Sequence, residues 1–209
     1  VTTSSIMFDV VIALLPATFF GIYQFKINAL LIILTTIITC VLSEYIYEYF
    51  MKKTITVKDL SAVVTGLILA LNLPATVPLW IPVIGGIFAI IVVKQLYGGL
   101  GQNFMNPALA ARCFLLISFA GRMTNFVFDG LTSPTPLVVL KNGQSYELLK
   151  MFLGTTSGTI GETSTFALLI GVGYLLIKGI IKVTIPLTYL ITFSIFTILF
   201  SPCSFDFYY

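Results

Sequence analysis

Apolar side chains fill this chain in long blocks, and polar residues gather in the short stretches between them. Crossing a hydrocarbon core of ~30 Å takes about 20 apolar residues at a rise of ~1.5 Å each. On that measure the pattern predicts about seven helical segments, over residues 6–23, 27–49, 60–73, 78–96, 108–120, 163–177 and 185–200. The blocks lack strand alternation, and a lipid-exposed backbone must close its own hydrogen bonds, so helices are the assignment. The predicted fold class is all-α: a polytopic integral membrane helical bundle, one membrane domain over residues 1–209. Segments 60–73 and 108–120 would extend only about 20 Å and read as half-helices or broken helices of the kind that line sites. A tilted neighbour or a thin local bilayer explains them equally well.

Helix starts are marked locally. Asn106-Pro107 offers an N-cap followed by a proline at the first helical position, and Thr159 with Glu162 has capping-box spacing, as does Thr56 with Asp59.

Composition identifies the solvent as lipid: 58% of residues are hydrophobic and 9% charged, with a mean hydropathy of +1.05, against about 25% charged in ordinary soluble domains. Phe and Tyr cluster near the ends of apolar runs, where their rings suit the headgroup region. A net charge of +3 without histidine argues against a nucleic-acid partner and a His-ligated metal. Cys40, Cys113 and Cys203 are too scattered for a disulfide framework or a cluster site, so no metal site is predicted. The start on Val1 and the aromatic tail after Ser201-Pro202-Cys203 lead us to expect a chain truncated at both ends.

Lys52, Lys53 and Lys58, then Lys94, then Lys178 and Lys182 fall in alternate connections. Short positive connections stay in the cytoplasm, so these share the inner face. The long connection 121–162 then faces outward, although it carries Arg122, Lys141 and Lys150 of its own. Among ionisable residues in or near the apolar segments, Glu44 and Glu48 stand among Tyr45, Tyr47 and Tyr49, which suits a solvated interfacial face with Lys52 pairing Glu48. Arg112 lies in a short apolar helix and needs a partner or a polar cavity; anion binding and snorkelling fit it equally. Asp9 and Asn72 suit either an ion path or helix packing.

Within 121–162 the run Asp129-Gly130-Leu131-Thr132-Ser133-Pro134-Thr135-Pro136 opens on a turn pair and holds Thr135 between prolines. Proline fixes its own φ and keeps its predecessor extended, so this stretch is not helical and should present the Thr135 hydroxyl outward. On the residues alone, an ordinary Ser/Thr/Pro turn explains it.

The stretch Asp129 to Thr135 is similar to the flavinylation motif of the family that joins the D subunits of Rnf-type ion-translocating oxidoreductases to the B subunits of sodium-pumping NADH:quinone oxidoreductases. The stretches from Asp59 to Gly66, from Gly98 to Ala108 and from Gly158 to Ser164 resemble the same family in the same order, and the resemblance leans to the Rnf side. It implies FMN held covalently on Thr135 through a phosphoester, with Asp129, Gly130, Thr132 and Ser133 as motif residues. Thr132 and Ser133 are fallback hydroxyls, and Pro134 stands where the family usually has Ala. A flavin transferase would install the FMN from FAD, and the ring would carry electrons singly.

The resemblance further implies a second flavin or a quinone nearby, partner subunits with iron-sulfur centres and flavins, and a multi-pass place in a bacterial or archaeal cytoplasmic membrane. The coupled process would be electron flow from ferredoxin or NADH driving Na⁺ or H⁺ export, with 121–162 as the extracytoplasmic flavin-carrying loop. Gly98-Gly99-Leu100-Gly101 follows no strand and fits neither glycine-rich nucleotide pattern. It is read as a tight re-entrant turn, or a place where a helix or flavin ring approaches closely. Two other classes stay open on the sequence: a channel or transporter without redox chemistry, since paired short helices also suit a solute path, and an inactive truncated copy.

Overall fold

The computed structural model describes residues 2–128, 131–132, 148–154 and 156–200. They are helical apart from one two-residue ladder and the connections. Helix α1 (Thr3–Phe50) holds the first two predicted segments in one 48-residue run, long and apolar enough to cross a membrane. It is broken at Lys26, whose φ of 55° and ψ of −136° are non-helical, in the gap the pattern left between 23 and 27. The Ser4 hydroxyl donates to the Lys58 carbonyl at 3.4 Å while Glu48 holds Thr56, so the two ends of α1 meet. The break is therefore a hairpin turn, and each half is about 35 Å long, enough for a crossing.

After a 3₁₀ turn (Val57–Asp59), α2 (Ser61–Leu71) lies along α1, with Gly66 at the contact. A Cβ on Gly66 would stand 2.9 Å from the Ile37 Cα, so only glycine allows this approach. α3 (Trp80–Ile87) continues without a break into a π-helical stretch, Phe88–Gln95. Its wider turn has no signature in the apolar pattern and is a common mark of functional sites. Gly98, Gly99 and Gly101 all take positive φ in the turn that follows, which fits the expectation of a tight turn there. α4 (Pro107–Ser118) starts as predicted, with the Asn106 side chain accepting from the Ala108 and Leu109 amides. α5 (Ala120–Met123) leads to β1 (Val127–Phe128), which pairs antiparallel with β2 (Leu131–Thr132). Then come α6 (Leu148–Leu153), α7 (Thr165–Ile177) and α8 (Thr184–Phe200).

α2 and α4 have 11 and 12 residues, or about 16–18 Å of helix, so both are short, as expected. Past the end of α2 the backbone is completed by the segment before α7. The Ile160 amide donates to the Leu73 carbonyl at 3.0 Å and the Gly161 amide to the Leu71 carbonyl at 2.8 Å. Non-helical backbone at this depth is tolerated because protein supplies its hydrogen bonds. The core joins Ile32 and Ile33 of α1, Leu67 of α2, Ile81 of α3, Leu115 of α4 and Ile160. α8 buries none of its residues.

Two capping expectations are corrected. Thr159 and Glu162 do bond, at 3.0 Å between side chains, but α7 starts later, capped by Ser164 on the Ala167 amide. Thr56 does not cap a helix; it binds Glu48, and Asp59 accepts from the Ser61 amide at 2.8 Å at the start of α2.

Candidate functional site

The bundle has two chemically different ends. One carries the lysines: Lys58 beside Ser4, Lys53 donating to the Gln95 carbonyl at 3.3 Å, and Lys178 3.6 Å from Asp9. Asp9 also accepts from the Tyr174 hydroxyl at 2.7 Å, tying α1 to α7. The alternate connections thus come together at one end, and the Lys26 turn, the α4–α5 corner and the β1–β2 ladder lie at the other.

At the lysine end the structure overturns the solvated reading of Glu44 and Glu48. Their relative exposures are 0% and 2%, and that of Lys94 is 2%. Lys94 Nζ donates to Glu44 Oε1 and to Ser61 Oγ, each at 2.5 Å. Gln95 Nε2 bridges Glu44 and Glu48 at 2.9 and 3.1 Å. Glu48 takes its remaining bonds from Thr56 rather than from Lys52. Lys94 belongs to the π-helical stretch rather than to a connection, and its partners sit 50 and 33 positions away in the chain. That separation is why local spacing missed them. Burying two carboxylates with one ammonium is costly even when they are hydrogen-bonded, so such a group points to specificity or function rather than to stability.

Arg112 and Asn72, singled out separately in the sequence, are brought together: Arg112 Nη1 donates to Asn72 Oδ1 at 3.2 Å. Asn72 is the C-cap of α2, and its side chain donates to the Ile68 carbonyl at 2.8 Å. Arg112 is half-buried within the bundle. This contact supplies the polar partner that its position demanded.

At the hairpin end, Thr132 pairs with Val127 and Leu131 with Phe128. Asp129, Gly130, Ser133 and Thr135 lie outside the described residues. Two grooves stand out among the described residues. An apolar one of about 500 Å³, lined by Phe88, Tyr97, Phe104, Asn106 and Cys113, lies between the π-helical stretch and α4. A more polar one of about 540 Å³ lies at the hairpin end beside Trp80 and Arg122.

The model of the NQR2, RnfD, RnfE family matches residues 1–208. The chain belongs to that family. Within it, the chain is similar to the D subunit of the Na⁺-translocating ferredoxin:NAD⁺ oxidoreductase complex of Acetobacterium woodii, 49% identical over 95% of this chain and 65% of the relative. It is also similar to the D subunit of the proton-translocating ferredoxin:NAD⁺ oxidoreductase complex of Clostridium ljungdahlii, 40% identical over 94% of this chain and 64% of that one. With the D subunit of the ion-translocating oxidoreductase complex of Rhodobacter capsulatus it shares 34% identity, over 90% of this chain and 63% of the relative. The chain thus spans just under two thirds of the length of these family members.

Proposed function

We propose that this chain acts as a membrane component of an ion-translocating oxidoreductase complex, relaying electrons between ferredoxin or NAD(H) chemistry and Na⁺ or H⁺ transport. The observation that carries this reading is the family match over residues 1–208, joined to relatives named as the D subunits of such complexes. The lysine end would face the cytoplasm and the 121–162 connection the outside of a multi-pass protein in the inner membrane.

The residue toward the cofactor is Thr135. Its hydroxyl would take the FMN moiety of FAD, forming an Oγ–P bond with AMP as leaving group, in a step catalysed by a flavin transferase. FMN, when bound, supplies one- and two-electron redox chemistry, while the protein supplies position and electrostatics. The β1–β2 ladder fits this role, because it pairs Val127 with Thr132 and Phe128 with Leu131 at the hairpin end, beside the motif in sequence. Ala110, Cys113 and the aromatic rings of the apolar groove offer room for a second flat ring. The buried Glu44, Glu48 and Lys94 are where the chain's own side chains can hold a positive charge on an ion route. Electrons would come from partner subunits carrying iron-sulfur centres or flavin.

Transport by the whole complex tests the reading. Vesicles holding the complete complex should build an ion gradient when ferredoxin is oxidised by NAD⁺, and Thr135→Ala in this chain should abolish it. Full coupling in that variant would contradict an electron-carrying role.

A further inference from the structure

Away from the lysine end, two buried side-chain oxygens have no hydrogen-bond partner among the described residues: Gln24 Oε1 and Thr163 Oγ1. Thr163 is 3% exposed. Gln24 Nε2 donates to the Thr156 carbonyl at 3.0 Å. Turning that amide over would only set two acceptors face to face, so its oxygen stays unpaired. A polar atom buried without a partner is costly and calls for a reason.

Both atoms stand where the end of the first half of α1 meets the segment before α7, and that segment closes on itself there. A Cβ on Gly154 would lie 2.8 Å from the Ser164 Cα, and one on Gly158 3.7 Å from Thr163 Cγ2. Thr156, the residue that Gln24 holds, lies between these two closures. The same segment is pressed onto α1 beside Gln24, since a Cβ on Gly21 would lie 2.5 Å from the Ile160 carbonyl oxygen. Thr156, Ser157, Thr159, Thr163 and Ser164 are all buried, so the place is rich in hydroxyls and non-helical carbonyls. Its charges suit a cation. The carboxylate of exposed Glu162, next to Thr163, offsets the positive start of α7, whose Ser164 hydroxyl already accepts from the Ala167 amide. The negative end of α2 is joined to the same segment through Ile160 and Gly161. Lys26 is exposed in the turn of α1, where water screens it.

We propose that Gln24 Oε1 and Thr163 Oγ1, with carbonyls of the non-helical segment around Thr156, form a site for a small monovalent cation, Na⁺, at the outer end of the bundle. Neutral amide, hydroxyl and carbonyl oxygens are hard ligands that suit an alkali cation, whereas a divalent ion draws on carboxylates. Unwound backbone at the ends of short helices is also where membrane transporters hold coupling ions. The role of this site as the last station before release rests on the ion-transport reading.

The test uses the complete complex in detergent. Its thermal midpoint is followed as NaCl replaces choline chloride at constant total salt, with binding of radiolabelled Na⁺ measured alongside. The wild type should be stabilised in a saturable way. Thr163→Val should be at least as stable in choline, because it removes a buried unpaired hydroxyl and keeps the shape of the side chain. It should nevertheless need about tenfold or more Na⁺ for the same shift, the usual effect of losing one charge-assisted contact. Thr163→Ser keeps the hydroxyl and should respond like the wild type, while Gln24→Leu should weaken Na⁺ as Thr163→Val does. Na⁺ acting no more strongly than choline, or Thr163→Val with the wild-type Na⁺ dependence, overturns the site and leaves the two oxygens to ordered water. An unchanged response in Gln24→Leu overturns the part given to that residue. Vesicles of a complex that binds Na⁺ through Thr163 but builds no Na⁺ gradient overturn the release role and keep the site. No ion gradient of any kind overturns the transport reading itself.

Discussion

Lys94 Nζ lies 2.5 Å from Glu44 Oε1, and both side chains are sealed from the surface, at 2% and 0% exposure. The pair joins the π-helical stretch after α3 to the second half of α1. Removing one partner strands a buried charge, which typically costs about 3–5 kcal/mol, whereas replacing both with apolar groups of similar volume is often close to neutral. Lys94→Met and Glu44→Met should each lower the thermal midpoint of the detergent-solubilised chain sharply. The double variant should recover much of the loss. Single variants that melt like the wild type would show that the pair is not buried as described.

Gly171 of α7 faces Ala13 of α1 so closely that a Cβ would lie 2.2 Å from the Ala13 carbonyl oxygen, whereas Gly173 has nothing within 4 Å. Gly171→Val should force the two helices apart at a cost of about 1–3 kcal/mol. Gly173→Ala should be neutral or stabilising by up to about 1 kcal/mol, because it removes a glycine from a helix interior. Melting curves of the two variants check the packing of α7 on α1.

Asn106→Ala removes the side chain that accepts from the Ala108 and Leu109 amides, and an N-cap is typically worth about 1 kcal/mol. The expected signature is faster amide exchange confined to the first turn of α4. Unchanged exchange there would mean that Pro107 alone holds the start of the helix.

Much of the architecture was legible in the apolar pattern, and what was missed has identifiable causes. The break at Lys26 and the Asn106-Pro107 start announce themselves within a few residues, because chain geometry and capping are local. Glu44 and Glu48 were misread because their neighbours in sequence are interfacial tyrosines, while their partners Lys94 and Gln95 arrive from another helix. The bond between Arg112 and Asn72 has the same character: each residue was noticed, but neither pointed to the other. Thr159 and Glu162 have the spacing of a capping box, but their side chains bond each other and start no helix, since the chain there is committed to α2 by the hydrogen bonds of Ile160 and Gly161. Of the flavinylation-like motif, Leu131 and Thr132 are placed by the ladder with β1.

Thr135 carries the central claim, and in-gel flavin fluorescence tests it most directly. The chain is expressed with a matching flavin transferase, denatured and run beside Thr135→Ala, with a family protein known to label as control. An ester-linked flavin survives denaturation, so the account predicts a fluorescent wild-type band that is absent from the variant. A dark wild-type band beside a labelled control, or a variant that labels as strongly as the wild type, would contradict it.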